Sequence, residues 1–230
     1  MKIDAVLFDM DSTLLEIGKF IKFDSIRKTI SKIYLKHGIP IEVIADYRSP
    51  ATLFAKMYER GKEYLSKEEI IEMQKKASDA VIDFELKAVN RAYVLPGSIE
   101  VLKWIKDRGN KIGIVTVNSK TVSLQVTEKT GIKEFIDAFY CRDSPGRPKP
   151  YPDHILQCLK QLNSSSDRAI FVGDHIDDML ASKAAGVYAV CIPNYRTDIF
   201  TEEELRVAGA RKIIKNIKEL PQVIHELELK

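Results

Sequence analysis

The chain has 230 residues, a net charge of +3 and a hydrophobic content of 45%. That length holds one domain with a good core, or a core plus a smaller inserted module, and the balance is that of a soluble globular protein. So small a charge, with no basic cluster interleaved with aromatics, gives no electrostatic case for nucleic acid, and no apolar run reaches the length of a membrane span. Cys141, Cys158 and Cys191 are odd in number and widely spaced. They read as reduced core thiols, not as disulfides or zinc ligands. A strand begins almost at the N-terminus without a signal-peptide pattern, so a cytoplasmic location is expected.

Val6-Leu7-Phe8 runs straight into Asp9-Met10-Asp11-Ser12-Thr13. An apolar run broken by acids reads as a buried strand ending at a polar crevice. In open α/β sheets, ligands bind beyond the carboxyl ends of the strands. Carboxylates this close repel unless a cation or a proton lies between them, so a magnesium-dependent site is the first hypothesis. A pair of solvated turn aspartates is the alternative. Gly18 is a hinge candidate because glycine accepts unusual backbone angles.

From there to Tyr93 the pattern is helical. Helices are predicted over 23–37, with Ile26, Ile30, Ile33 and Tyr34 on one face, and over 41–47 and 51–60. A capping box at Ser66-Lys67-Glu68-Glu69 opens a long helix that turns Ile70, Met73, Ala77, Val81, Phe84 and Ala88 to one side. Residues 17–93 are therefore read as a helical insertion, and residues 1–16 and 94–230 as the core domain. Ser98 is predicted to cap a helix that Gly109 ends. Strands are expected over 111–117, 138–141, 169–172 and 188–192, with helices over 120–130, over 153–162 and up to Gly186. The tail holds short helices near Glu202 and from Pro221, and a marginal strand over 212–214. Such alternation predicts an α/β fold, a doubly wound, Rossmann-like parallel sheet with an α-helical insertion.

Four strand ends carry polar groups: Asp9 and Asp11, Thr116 and Asn118, Lys149 in a Pro- and Arg-rich loop, and Asp174 and Asp178. Parallel strands would bring all four to one edge. Phosphoryl transfer needs a nucleophile, an acid for the leaving oxygen, a metal, and donors for the equatorial oxygens, and this inventory supplies them.

With these residues in order, the sequence resembles the haloacid dehalogenase superfamily of phosphohydrolases. The motifs are Asp-x-Asp-x-Thr at Asp9, Asp11 and Thr13, a strand-terminal hydroxyl at Thr116, Lys149 in Arg147-Pro148-Lys149-Pro150-Tyr151-Pro152-Asp153, and Gly-Asp-x-x-x-Asp at Gly173, Asp174 and Asp178. They span the chain from Val6 to Gly186. The resemblance implies that Asp9 is the nucleophile and a Mg²⁺ ligand. Asp11 would protonate the leaving oxygen, later activate water, and ligate the metal through its carbonyl. Thr116, the neighbouring amides of Val117 and Asn118, and Lys149 would bind the phosphoryl group. Asp174 would be a direct metal ligand and Asp178 a water-mediated one. The insertion would be a C1-type helical cap, as in phosphoglycolate phosphatases and their relatives. The implied activity is hydrolysis of a small phosphorylated metabolite, phosphoglycolate or a sugar phosphate, by a monomer or homodimer.

Some residues stay open at this level. Ser12 stands where many relatives carry Gly. Asp177 either tunes metal affinity or caps the following helix, with capping preferred, and His175 is read as a rim residue. Glu16 either touches substrate or is a solvated hinge carboxylate. Lys19, Tyr47 and Arg48 are candidates for the non-phosphate end of a substrate. Dehalogenases generally lack the second aspartate, so Asp11 argues for phosphate. A phosphonatase would recruit a cap lysine such as Lys19 or Lys22. A β-phosphoglucomutase would share every core motif, and a non-catalytic binding protein of the same fold is the rival from another class. A response-regulator receiver domain uses similar groups but is smaller and lacks the insertion.

Overall fold

In the computed structural model, which describes residues 2–193 and 200–229, the first apolar run becomes strand β1 (Ala5–Phe8), every residue of it buried. Next come a short strand β2 (Leu15–Glu16) and helices α1 (Phe23–Lys36), α2 (Ile41–Ala45), α3 (Pro50–Arg60) and α4 (Lys67–Val89). Strand β3 (Tyr93–Val94) pairs antiparallel with β2 as the chain re-enters the core. The remainder alternates: α5 (Ser98–Asp107), β4 (Lys111–Val115), α6 (Lys120–Thr130), β5 (Ala138–Tyr140), α7 (Asp153–Gln161), β6 (Ala169–Gly173) and α8 (Ile176–Ala185). It ends with β7 (Tyr188–Cys191), α9 (Glu202–Ala208), β8 (Lys212–Ile213) and α10 (Leu220–Glu228).

Six strands form one parallel sheet in the order β5-β4-β1-β6-β7-β8. Alternation along β1 splits its side chains between two cores. Val6 and Phe8 join Ile112, Ile114 and Ile170 under α5, α6 and α10, while Ala5 and Leu7 join Phe171 under α7 and α8. Burial on both faces explains why the strands read as unbroken apolar runs. Because β1 lies between β4 and β6, successive connections leave it on opposite sides, and a crevice opens at its carboxyl end. The fold is thus the expected Rossmann-like sheet with an inserted helical cap.

The cap has its own apolar cluster, with Ile26, Ile30 and Tyr34 from α1, Leu53, Phe54 and Met57 from α3, and Met73, Ala77 and Val81 from α4. The capping box forms as expected: the Ser66 amide donates to Glu69 Oε2 (2.8 Å), and the Glu69 amide donates to Ser66 Oγ (3.3 Å). Inside the cluster, the Tyr34 hydroxyl donates to Gln74 Oε1 (2.6 Å), and Gln74 Nε2 donates to the Phe54 carbonyl (2.7 Å). This chain satisfies the buried polar atoms that join the three longer cap helices.

Three local readings change. The β2–β3 ribbon has no sequence signature, since two residues per strand hold no period to read. Ser98 does not cap α5; Gly97 takes that position at φ 91°, and Ser98 lies inside the helix. The strand predicted over 111–117 ends at Val115, because Thr116 turns its hydroxyl to the Asn118 amide (3.2 Å). The three cysteines are buried free thiols. No helix among the described residues is long and apolar enough to cross a membrane.

Tyr34→Phe should lower the unfolding free energy by about 1–3 kcal/mol, because Gln74 Oε1 is left buried without its donor. Urea titration followed by circular dichroism measures this, and an unshifted midpoint would show that water or another donor replaces the hydroxyl.

Candidate active site

Asp9 stands one residue beyond β1, and its amide still donates to the Val172 carbonyl of β6 (2.8 Å). The sheet therefore fixes the backbone from which its side chain enters the crevice. Lys149, from the loop between β5 and α7, donates to Oδ1 of Asp9 and to Oδ1 of Asp178, each at 2.6 Å. All three side chains are buried. Asp178 lies in the first turn of α8, where its Oδ2 accepts the amides of Asp174 (3.1 Å) and His175 (3.0 Å). A helix N-terminus thus shares its charge with the lysine. Gly173 makes this approach possible, since a Cβ there would overlap the Asp178 carboxylate.

Burial pushes the Asp9 carboxyl up to about 7; Lys149 opposes the rise, and the Asp178 and Asp11 charges add to it. Asp174 is driven well above the usual carboxylate range by burial and then by the charges of Asp9, Asp178 and Asp11. For Lys149, burial favours the neutral amine, but Asp178 and Asp9 outweigh it and hold the pKa above the ordinary value. One ammonium among so many buried acids leaves negative charge uncompensated. One oxygen each of Asp9, Asp174 and Asp178 lie within 4.8 Å of one another. Hard oxygen donors at this spacing fit a hard divalent cation, which would relieve that repulsion. Asp178 already has Lys149 and two amides, whereas Asp174 accepts from the Thr13 hydroxyl at 3.5 Å. Asp9 and Asp174 are accordingly the less encumbered candidate ligands.

Asp11 is held differently. Its Oδ1 accepts the amides of Ile17 (2.8 Å) and Gly18 (2.9 Å), at the point where the chain leaves for the cap. Burial raises its pKa, and those two amides pull the other way. Gly18 is required for closeness, not for unusual angles: a Cβ there would overlap Asp11 Oδ2. Ser12, in contrast, adopts the left-handed conformation at φ 61°, which glycine reaches without strain. The Thr116 hydroxyl donates to Asn118 Oδ1 (3.0 Å) and accepts from the Asn118 amide. Asp9, Asp11, Thr116, Val117, Asn118, Lys149, Asp174 and Asp178 all line one cavity of about 240 Å³.

Other expectations shift. Asp177 does not cap α8. His175 does, its Nδ1 accepting the Asp177 amide (3.3 Å), while Asp178 completes the reciprocal bond. The Asp177 carboxylate instead sits 3.5 Å from that ring, and both residues face the cavity. Glu16 is buried rather than solvated, and its Oε1 accepts the Lys19 amide (3.1 Å). Lys19, Lys22, Tyr47 and Arg48 are not among the residues lining the cavity. Lys19, Lys22 and Arg48 are exposed in the turns that precede the cap helices.

Two charged lining residues, Arg142 and Glu85, were not singled out from sequence. Arg142 donates through Nη1 and Nη2 to the two carboxylate oxygens of Glu85 (2.6 and 3.1 Å), through Nε to Ser78 Oγ (3.1 Å), and through Nη1 to the Val117 carbonyl (3.2 Å). Their signals were present. Glu85 is an acid on the apolar face of α4, four residues after Val81, and Arg142 follows β5 at the functional edge of the sheet.

A family model described as haloacid dehalogenase-like hydrolase matches residues 3–186. A phosphoglycolate phosphatase of Nitrosococcus oceani is 27% identical over 130 residues, 55% of this chain and 58% of that protein. A pyrophosphatase PpaX of Halalkalibacterium halodurans is 27% identical over 188 residues, 81% of this chain and 82% of the relative. Among solved structures, a HAD phosphatase from Thermococcus onnurineus superposes with a TM-score of 0.63 at 24% identity, covering 96% of this chain and 98% of that one. A β-phosphoglucomutase from Clostridium difficile reaches 0.65 at 20% identity, covering 99% and 100%. At such identities these two structures share the fold.

Gly173→Ala should destabilise the protein by about 1–3 kcal/mol, because the added methyl must displace the Asp178 carboxylate from Lys149 and from the helix amides. Thermal or urea unfolding reads the loss, and wild-type stability would mean that the loop yields instead.

Proposed function

This chain belongs to the haloacid dehalogenase-like hydrolases, and we propose that it is a Mg²⁺-dependent phosphatase of small phosphate monoesters, working through an aspartyl-phosphate. The observation that carries this reading is the Lys149 ammonium, 2.6 Å from both Asp9 and Asp178, beside Asp174 in one closed cluster. Relatives named for phosphoglycolate and for pyrophosphate hydrolysis support a small phosphorylated substrate. Residues 17–93 are the cap, and residues 1–16 and 94–230 carry the chemistry.

In the first step a carboxylate oxygen of Asp9 attacks phosphorus while the bond to the ester oxygen breaks. The departing alkoxide takes a proton from Asp11. Its Oδ1 is engaged by two amides, so Oδ2 is the oxygen that carries the proton, and the pKa raised by burial keeps the acid form available. In the second step Asp11, now a carboxylate, removes a proton from water as the water oxygen attacks the aspartyl-phosphate. The bond from phosphorus to Asp9 then breaks, and the carboxylate is restored. Lys149 and the Val117 amide hold the phosphoryl oxygens, joined by the Thr116 hydroxyl when its proton turns from Asn118 Oδ1 to the phosphate. The Asn118 amide already donates to Thr116, so Asn118 acts through the shape of that turn. Mg²⁺, held by Asp9, Asp174 and the Asp11 carbonyl with Asp178 behind them, would supply positive charge for the equatorial oxygens.

Asp9→Asn should abolish turnover with the fold intact, since an amide cannot attack phosphorus. Steady-state assays on a panel of phosphate monoesters check this, and residual wild-type rates would rule the mechanism out. Mg²⁺ affinity should also depend on pH. The Asp9 carboxyl, at about 7, must lose its proton to ligate. Binding should therefore tighten by roughly tenfold or more from about pH 6 to about pH 8, with proton release, since Asp174, whose carboxyl is also raised, must ionise as well. Calorimetry in buffers of different ionisation enthalpy measures both quantities, and a pH-independent affinity would remove Asp9 from the ligand set.

A further inference from the structure

The cavity has a second wall, facing the sheet edge, and its chemistry bears on what the phosphoryl group is attached to. That wall is built by the cap: Ile21, Ile26 and Ile30 around α1, and Phe54 on α3. The cationic cap residues that would recognise an acidic substrate lie elsewhere, with Lys19 and Arg48 exposed outside the cavity. Each basic side chain among the described lining residues already faces a carboxylate. Lys149 has Asp9 and Asp178, His175 has Asp177, and Arg142 has both oxygens of Glu85.

Arg142 and Glu85 decide the matter, because they lie within the cavity lining beside the Val117 carbonyl. Their side chains are only 8% and 4% exposed, and the guanidinium is held 5.5 Å from the centre of the Phe54 ring. A bidentate carboxylate uses the planar fork that Arg142 would otherwise offer to an anionic substrate group. A second carboxylate or phosphate entering here would be desolvated against an apolar wall, without a cation to receive it.

We infer that the organic part of the ester is uncharged and largely apolar, and that Glu85 selects for it by neutralising Arg142. This rests on the phosphatase reading of the same site. The volume of about 240 Å³ is below the roughly 300–1,000 Å³ of sites for drug-sized ligands, so the alcohol is small. The class is phosphate monoesters of short branched or arylalkyl alcohols, and both phosphoglycolate and pyrophosphate are poor substrates.

The experiment compares kcat/KM of the full chain with Mg²⁺ on 3-methylbutyl phosphate, 2-phenylethyl phosphate, phosphoglycolate and pyrophosphate. Wild type should prefer the two apolar esters by roughly tenfold or more, and Glu85→Gln should move the ratio toward phosphoglycolate by a similar factor. Equal or better turnover of phosphoglycolate or pyrophosphate by wild type overturns the inference and leaves the phosphatase reading standing. A folded Glu85→Gln protein with the wild-type ratio also overturns it. If that variant does not fold, the wild-type ratio decides alone. Turnover of none of the four by wild type, or equal turnover by Asp9→Asn, removes the phosphatase reading and this inference with it.

Discussion

A single lysine ammonium, shared between Asp9 at the end of β1 and Asp178 at the start of α8, holds the centre of this protein in one electrostatic unit. Buried carboxylates repel, and desolvation penalises each of them. Lys149 and the first turn of α8 offset part of that penalty. The remainder is left as raised pKa values at Asp9 and Asp174, which is to say as demand for positive charge. The same imbalance that strains the cluster suits it to a hard divalent cation. A buried ion pair of this kind is poor evidence for stability, and its value lies in the geometry it imposes.

Around that unit, the cap and the core are joined through atoms of the candidate site. Asp11 accepts the Ile17 and Gly18 amides just where the chain departs for the cap, so the proposed acid and the connecting ribbon share hydrogen bonds. On the other side of the cavity Arg142 reaches from the core to Glu85 and Ser78 of α4, and to the Val117 carbonyl in the turn proposed to bind phosphate. Cap and core thus share hydrogen bonds both at Asp11 and at the turn that carries Val117. Exposed contacts such as Arg147 with Glu59 add to the joint, but in water they contribute little.

Much of this was legible beforehand, for reasons that are local. Strands buried on both faces must be apolar throughout, so β1, β4 and β6 announce themselves. A helix with one buried stripe carries its period, so α1 and α4 do too. Residues that need a strand end for their chemistry appear where the apolar run stops, which is how Asp9, Thr116 and Asp174 could be found. Lys149 was located by its neighbours in the loop and by resemblance; no spacing rule would place its ammonium on Asp9, 140 residues away. The readings left open depended on which way a side chain faces. Lys19 and Arg48, candidates for a substrate contact, are exposed outside the cavity, and Glu16, which was open between a contact and a solvated carboxylate, is buried. The helix cap expected of Asp177 is made by His175.

From the amino-acid order alone came the alternation of strands and helices, the insertion after the first strand, and the acids and hydroxyl at the ends of the apolar runs. These follow from periodicity and from the positions at which apolar runs end, both of which are properties of neighbouring residues. Only the tertiary structure decided that Arg142 meets Glu85, that the cavity's far wall is isoleucine and phenylalanine, and that the cap's lysines stay outside it. Those facts depend on the packing angle between the cap and the sheet, which sums over contacts between segments far apart in the chain and leaves no periodic trace along it.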